Sequence, residues 1–146
     1  MGIKIRALIG VAAVGAASIV GAMPASANGD VYSKAVTPGY TDAGASAKAH
    51  VVFNSRTSIT YQNFTVNDVC PGDNFRAMGQ AVVRYTDGTT YYGPEHFNSG
   101  CTSDPWFASS LPFSSSKRIL WAGVRACVDL GSTYSCAAPN YVYNQY

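Results

Sequence analysis

Glu95-His96 is the one place in this 146-residue chain where a carboxylate and an imidazole are neighbours, so it is where acid–base chemistry is sought first. General acid–base catalysis needs such a group held beside a substrate, with a partner that shifts its pKa. The pair follows Gly93-Pro94 and so sits at a hairpin exit, an open position that suits a site. Consecutive residues on a strand point to opposite faces, however, so Glu95 and His96 do not converge on one substrate atom, and a surface role is the plainer reading. Glycoside hydrolysis needs two carboxylates across a cleft. Asp42, Asp68, Asp73, Asp87, Asp104 and Asp129 fall mostly in turn contexts, where aspartate serves the backbone, and no pair stands out. The chain has no G-x-S-x-G elbow for a serine nucleophile. Its four cysteines form no C-x-x-C pair and no cluster with zinc-ligand spacing. No catalytic residue, metal ligand or cofactor is therefore assigned. A small hydrolase using Glu95 or His96 is the third of three functional readings.

Aromatic side chains are the better lead. All ten Tyr, six Phe and two Trp lie after residue 27. Trp106 and Phe107 stand in a Ser/Pro-rich stretch, Trp121 and Arg125 share the outer face of one strand, and Tyr91 falls outside a neighbouring hairpin. Together they form the candidate binding surface. Trp, Tyr and Arg dominate the energetics of protein interfaces, and the same rings stack on sugars. The competing reading is structural: the loop aromatics close the end of a core, and Trp121 packs over a disulfide.

The element that positions these residues is the hairpin from Ile119 to Cys136. Leu120, Ala122, Val124, Ala126, Val128 and Leu130 recur at period two, with Trp121, Arg125, Cys127 and Asp129 between them, the pattern of a half-buried strand. Placing Cys127 opposite Cys136 leaves Gly131-Ser132 as a two-residue turn, and a glycine-first turn of this kind needs φ > 0 at that glycine. The pairing Cys127–Cys136 leaves Cys70–Cys101 as the second bridge.

Four cysteines in two bridges suit an exported chain, and the N-terminus agrees. Lys4 and Arg6 precede an Ala/Gly/Val/Ile-rich segment, Pro24 breaks it, and Ala25-Ser26-Ala27 is a small-x-small cleavage site, so residues 1–27 read as a signal peptide. The chain has ten Lys+Arg against eight Asp+Glu, and losing Lys4 and Arg6 leaves the mature protein neutral. Nucleic acid is not an expected partner, because no cluster of basic residues is present to displace counterions. No membrane association is expected after cleavage.

Further strands follow from alternation. Val31 and Tyr32 mark an edge strand, or else residues 28–45 are a flexible lead. Ala47–Phe53 alternates cleanly. From Thr57 to Val69 the apolar phase moves from odd (Ile59, Tyr61) to even (Phe64, Val66), which predicts a β-bulge near Gln62-Asn63. Arg76–Thr86 leads into Asp87-Gly88, a type I′ hairpin signal that sets Val83 opposite Tyr92 and Arg84 opposite Tyr91. Thr102–Ser116 reads as a long irregular loop. Beyond Cys136, a last strand carries Tyr141 and Tyr143 on the inner face, with Pro139 suiting an edge.

No helix of useful length is expected after the signal. The expectation is an all-β protein: a small antiparallel β-sandwich of about seven strands over residues 46–146, with two disulfides, secreted and monomeric. Its most economical function is non-enzymatic binding of an extracellular protein. The alternative is a carbohydrate or cell-wall polysaccharide binding module.

Overall fold

The computed structural model describes residues 28–146 apart from Pro71, and the proposed signal peptide, residues 1–27, lies outside them. Among the described residues the chain forms ten strands and no helix. They are β1 (Gly29–Val36), β2 (Gly44–Phe53), β3 (Ser58–Val69), β4 (Arg76–Tyr85), β5 (Thr90–Tyr92), β6 (His96–Asn98), β7 (Trp106–Ser114), β8 (Ile119–Asp129), β9 (Tyr134–Cys136) and β10 (Asn140–Tyr143). One antiparallel sheet runs β1-β2-β3-β7. The other runs β10-β8-β4-β5, with β6 also beside β4 and β9 beside β8.

Alternation sends one face of each sheet into a common core. Val31, Val51, Phe53, Tyr61, Phe64 and Val66 of the first sheet form one buried cluster with Val83, Ala122, Val124 and Val128 of the second. Burial of each larger side chain contributes about 1.5–3 kcal/mol. Small residues set how close the sheets come. A Cβ on Gly79 would lie 2.4 Å from Val66 Cγ2 and 3.2 Å from Ala47 Cβ, so β4 passes β2 and β3 there with no room for a side chain. Polar links cross between the sheets: the buried Tyr61 hydroxyl donates to the Val82 carbonyl (2.9 Å), and Ser33 Oγ accepts from the Ala126 amide (3.1 Å). Burial pushes the Tyr61 phenol far above the ordinary tyrosine range, so it stays a donor.

The cysteine bridges are Cys70–Cys101 and Cys127–Cys136. Cys127 pairs with Cys136 in register, Asp129 with Tyr134, and Gly131 has φ +88°, as the expected turn requires. The bulge on β3 falls at Asn63, whose φ is +52°; the register with β2 slips there, and burial shifts from Ile59 and Tyr61 to Phe64 and Val66.

Four expectations are corrected, besides the strand number. The stretch expected to be a loop over Thr102–Ser116 contains strand β7, which pairs with β3 along its whole length. Its own alternation slips at Ser109-Ser110, next to the β3 bulge, and that slip hides the strand from a period-two reading. Pro112 is tolerated because β7 is an edge strand. The β4–β5 hairpin is one residue off: Tyr85 N donates to Thr89 O (2.9 Å) and Gly88 N to Tyr85 O (3.1 Å), closing a three-residue loop. Val83 therefore faces Tyr91, and Arg84 faces Thr90. Leu120 is exposed because the β4–β8 register slips beside it, and Ile119 is the buried residue instead. On β10 the half-buried Val142 packs on the core, while Tyr141 and Tyr143 face out.

Candidate functional site

The outer face of the second sheet carries the densest aromatic array. Register places its members: Trp121 of β8 lies between Tyr143 of β10 and Arg84 of β4, and one row along Gly123 lies between Tyr141 and Val82, with Tyr92 beyond Val82. Trp121 stacks on Tyr141 with ring centroids 4.4 Å apart and planes 18° apart, and Tyr143 meets Tyr141 edge-on at 5.5 Å. Gly123 allows the close approach of β10, since a Cβ there would fall 2.8 Å from Tyr141 Cβ and 2.0 Å from the Asn140 carbonyl oxygen.

Arg125 anchors the other side of the array. Its guanidinium lies 4.0 Å above the centre of the Tyr92 ring, and its Nε donates to Gln80 Oε1 at 2.8 Å. Gln80 is buried and donates in turn to the Gly93 carbonyl (2.8 Å). The arginine is thus held in place by the Tyr92 ring and the buried Gln80 amide. Tyr92, Tyr141 and Tyr143 are 45%, 42% and 50% exposed, so this face presents aromatic area to solvent.

The five residues expected to form one surface do not meet. Trp121 and Arg125 are on this face. Tyr91 is turned by the one-residue shift to the opposite side of the sheet, where it stacks on Phe113 (5.1 Å). Trp106 points inward and lies edge-on to Phe64 at 5.6 Å. Phe107 is 58% exposed on the outer side of the first sheet. The sequence reading missed Tyr92, Tyr141 and Tyr143. Alternation around the apolar Val142 was an available signal for the last two, whereas Tyr92 depends on a hairpin register that local sequence leaves open.

Glu95 and His96 diverge, as their spacing requires. Glu95 is exposed and accepts a hydrogen bond from the Tyr134 hydroxyl (3.0 Å), which raises the pKa of that phenol. His96 is half-buried and stacks on Trp106 with centroids 3.7 Å apart; burial lowers its pKa, favouring the neutral imidazole. It borders a cleft of about 310 Å³ between the sheets, where Tyr91, Pro94, Leu111 and Phe113 make the walls. Among the described residues no carboxylate lines that cleft. Among the described residues no three His, Cys, Asp or Glu side chains are grouped to hold a metal ion.

Compared with known proteins, the chain matches no family model, no curated protein and no solved structure.

Proposed function

We propose that this chain is a secreted β-sandwich that works by binding rather than catalysis, and that the outer face of β4, β5, β8 and β10 docks on an extracellular protein. Two sheets sharing one core support the sandwich, and two disulfides with a signal-like N-terminus support export. The observation that carries the reading is the Trp121–Tyr141–Tyr143 cluster beside the Tyr92–Arg125–Gln80 clamp. Trp, Tyr and Arg are the side chains from which interface hot spots are built, and here they are pre-positioned on a rigid sheet.

Polysaccharide is the second reading, favoured by the near-parallel Trp121 and Tyr141 rings. Against it, these rings pack on one another and Tyr143 stands at 88° to Tyr141, so they do not form the side-by-side platform that successive sugars need. The test uses purified protein, Trp121→Ala and the double variant Tyr92→Ala/Arg125→Ala. Each is used for capture from the extracellular medium and for co-sedimentation with chitin, cellulose, starch and peptidoglycan. The protein reading expects one extracellular protein to be held by the parent chain, with affinity at least about tenfold weaker in both variants, since each hot-spot truncation removes about 2 kcal/mol or more. Sedimentation with one polymer, lost in Trp121→Ala, would replace it with the polysaccharide reading. Capture that both variants leave unchanged would remove this face from the function.

A further inference from the structure

The two sheets part where their edges face each other. Strand β7 runs for nine residues along the edge of the first sheet. The second sheet meets it only with β5 and β6, three residues each, on either side of Gly93-Pro94-Glu95. The residues lining the gap from the second sheet include Ala81 and Gly93, which are too small to fill it. What remains is the cleft of about 310 Å³ that His96 borders, within the range of small-molecule sites, about 300–1,000 Å³. Tyr61 and Val83 line it from the buried core. Ala81, Leu111 and Phe113 pack on that core but are only half-buried, so apolar surface is left uncovered inside a concave space. The Tyr91 and Phe113 rings, one from each sheet edge, stack at 5.1 Å and join the two sheets there.

The polar groups of the lining are few and mostly committed. Tyr61 donates to the Val82 carbonyl, the Gly93 amide donates to the Ala81 carbonyl at 2.8 Å, and the Gly93 carbonyl accepts from Gln80. The His96 ring differs, since its nitrogens make no hydrogen bond among the described residues. The ring itself is fixed, stacked on Trp106 at 3.7 Å and meeting Phe64 edge-on at 5.8 Å. A neutral imidazole offers one donor and one acceptor, so a hydroxyl can bond to either nitrogen.

The same lining narrows the occupant. A peptide strand adding to a sheet edge needs a run of free backbone groups. Here β5 is three residues long and β7 is interrupted by Pro112, so neither edge supplies one. A charged molecule would be desolvated without an opposite charge, because among the described residues no carboxylate, lysine or arginine lines the cleft.

We propose that this cleft is a binding site for an uncharged small molecule of one or two rings bearing a single hydroxyl, with the ring covered by Tyr61, Leu111 and Phe113 and the hydroxyl held by His96. The site lies between the sheets, apart from the outer aromatic face, and stands whether or not that face binds a protein.

The test is calorimetric titration of the disulfide-bonded protein with 2-naphthol, with naphthalene, which lacks the hydroxyl, and with naphthalene-2-sulfonate, which replaces it by a charge. The expected result is one site for 2-naphthol with a Kd of about 100 µM or tighter, and binding at least about tenfold weaker for the sulfonate. Ala81→Leu and Leu111→Trp fill the cleft from opposite sheets, and each variant that still unfolds cooperatively should lose the site. His96→Phe keeps a ring against Trp106 and should weaken 2-naphthol at least about threefold while leaving naphthalene unchanged. A parent protein that does not bind 2-naphthol would overturn the proposal, as would binding that survives in the filled variants or a sulfonate bound as tightly as the alcohol. Equal loss of 2-naphthol and naphthalene in His96→Phe, or loss of neither, would overturn the role given to His96.

Discussion

Replacing Gly79 by alanine tests how the two sheets meet. The added methyl would sit 2.4 Å from Val66 Cγ2, 3.2 Å from Ala47 Cβ and 3.3 Å from Val66 Cγ1, all on the opposite sheet. Neither neighbour can yield cheaply, because Val66 and Ala47 are fully buried members of the core. Overpacking of this kind costs about 1–3 kcal/mol. Contacts this short against two buried side chains put the cost at about 2–3 kcal/mol; alanine returns about 0.5–1 kcal/mol by restricting the unfolded chain, so a net loss of about 1–2.5 kcal/mol is expected. Val66→Ala alone should cost about 2 kcal/mol as a cavity. Combined, the two changes compensate: the new methyl occupies space the valine vacates, so the double variant should lose clearly less than the two singles together, with a coupling of about 1 kcal/mol or more. Urea unfolding followed by fluorescence of Trp106 and Trp121 reads all four proteins, and equal m-values would show that stability alone has changed. A Gly79→Ala protein as stable as the parent, or strictly additive losses, would refute the close approach of β4 to β3 on which the shared core rests.

Two further outcomes follow from single side chains. His96 has a pKa below its ordinary value because burial opposes the charged form. The unfolded chain therefore takes up the proton first: this histidine's contribution to stability should be complete above about pH 6.5 and lost as pH falls from there through the lower folded pKa. Unfolding midpoints between pH 7.5 and 5, compared with His96→Phe, check this, and an identical pH profile in the variant would contradict it. Tyr61→Phe should cost about 0.5–1.5 kcal/mol by deleting the buried hydrogen bond to the Val82 carbonyl. A variant matching the parent in urea would show that this bond adds nothing to stability.

The sequence made local geometry legible and left long-range register open, and the candidate site lies on the second kind of information. The β8–β9 hairpin was readable because three short-range signals coincide within one segment: alternation, a glycine at φ +88° and two cysteines placed opposite each other. The bulge at Asn63 was readable because a change of phase in a long strand has few other causes. Asp87-Gly88 was ambiguous in a way no local rule resolves, since aspartate and glycine suit both a two-residue turn and a three-residue loop ending in a left-handed glycine. Gly88 takes that role at φ +85°, the loop gains one residue, and every side chain of β5 changes face. That single step moves Tyr91 from the expected binding surface into the inter-sheet cleft, and it brings Tyr92 under Arg125. Asp68 shows the converse. Its inward phase was written in Phe64 and Val66, yet aspartate beside a cysteine-proline-glycine turn reads as a turn residue, so a buried unpaired carboxylate was hidden by its surroundings. A partner from a distant strand completes the aromatic cluster, Tyr141 for Trp121. The chemistry of this chain is therefore fixed by which strands lie side by side, and variants that shift the β4–β5 register should abolish the Tyr92–Arg125 contact while leaving the Cys127–Cys136 hairpin intact.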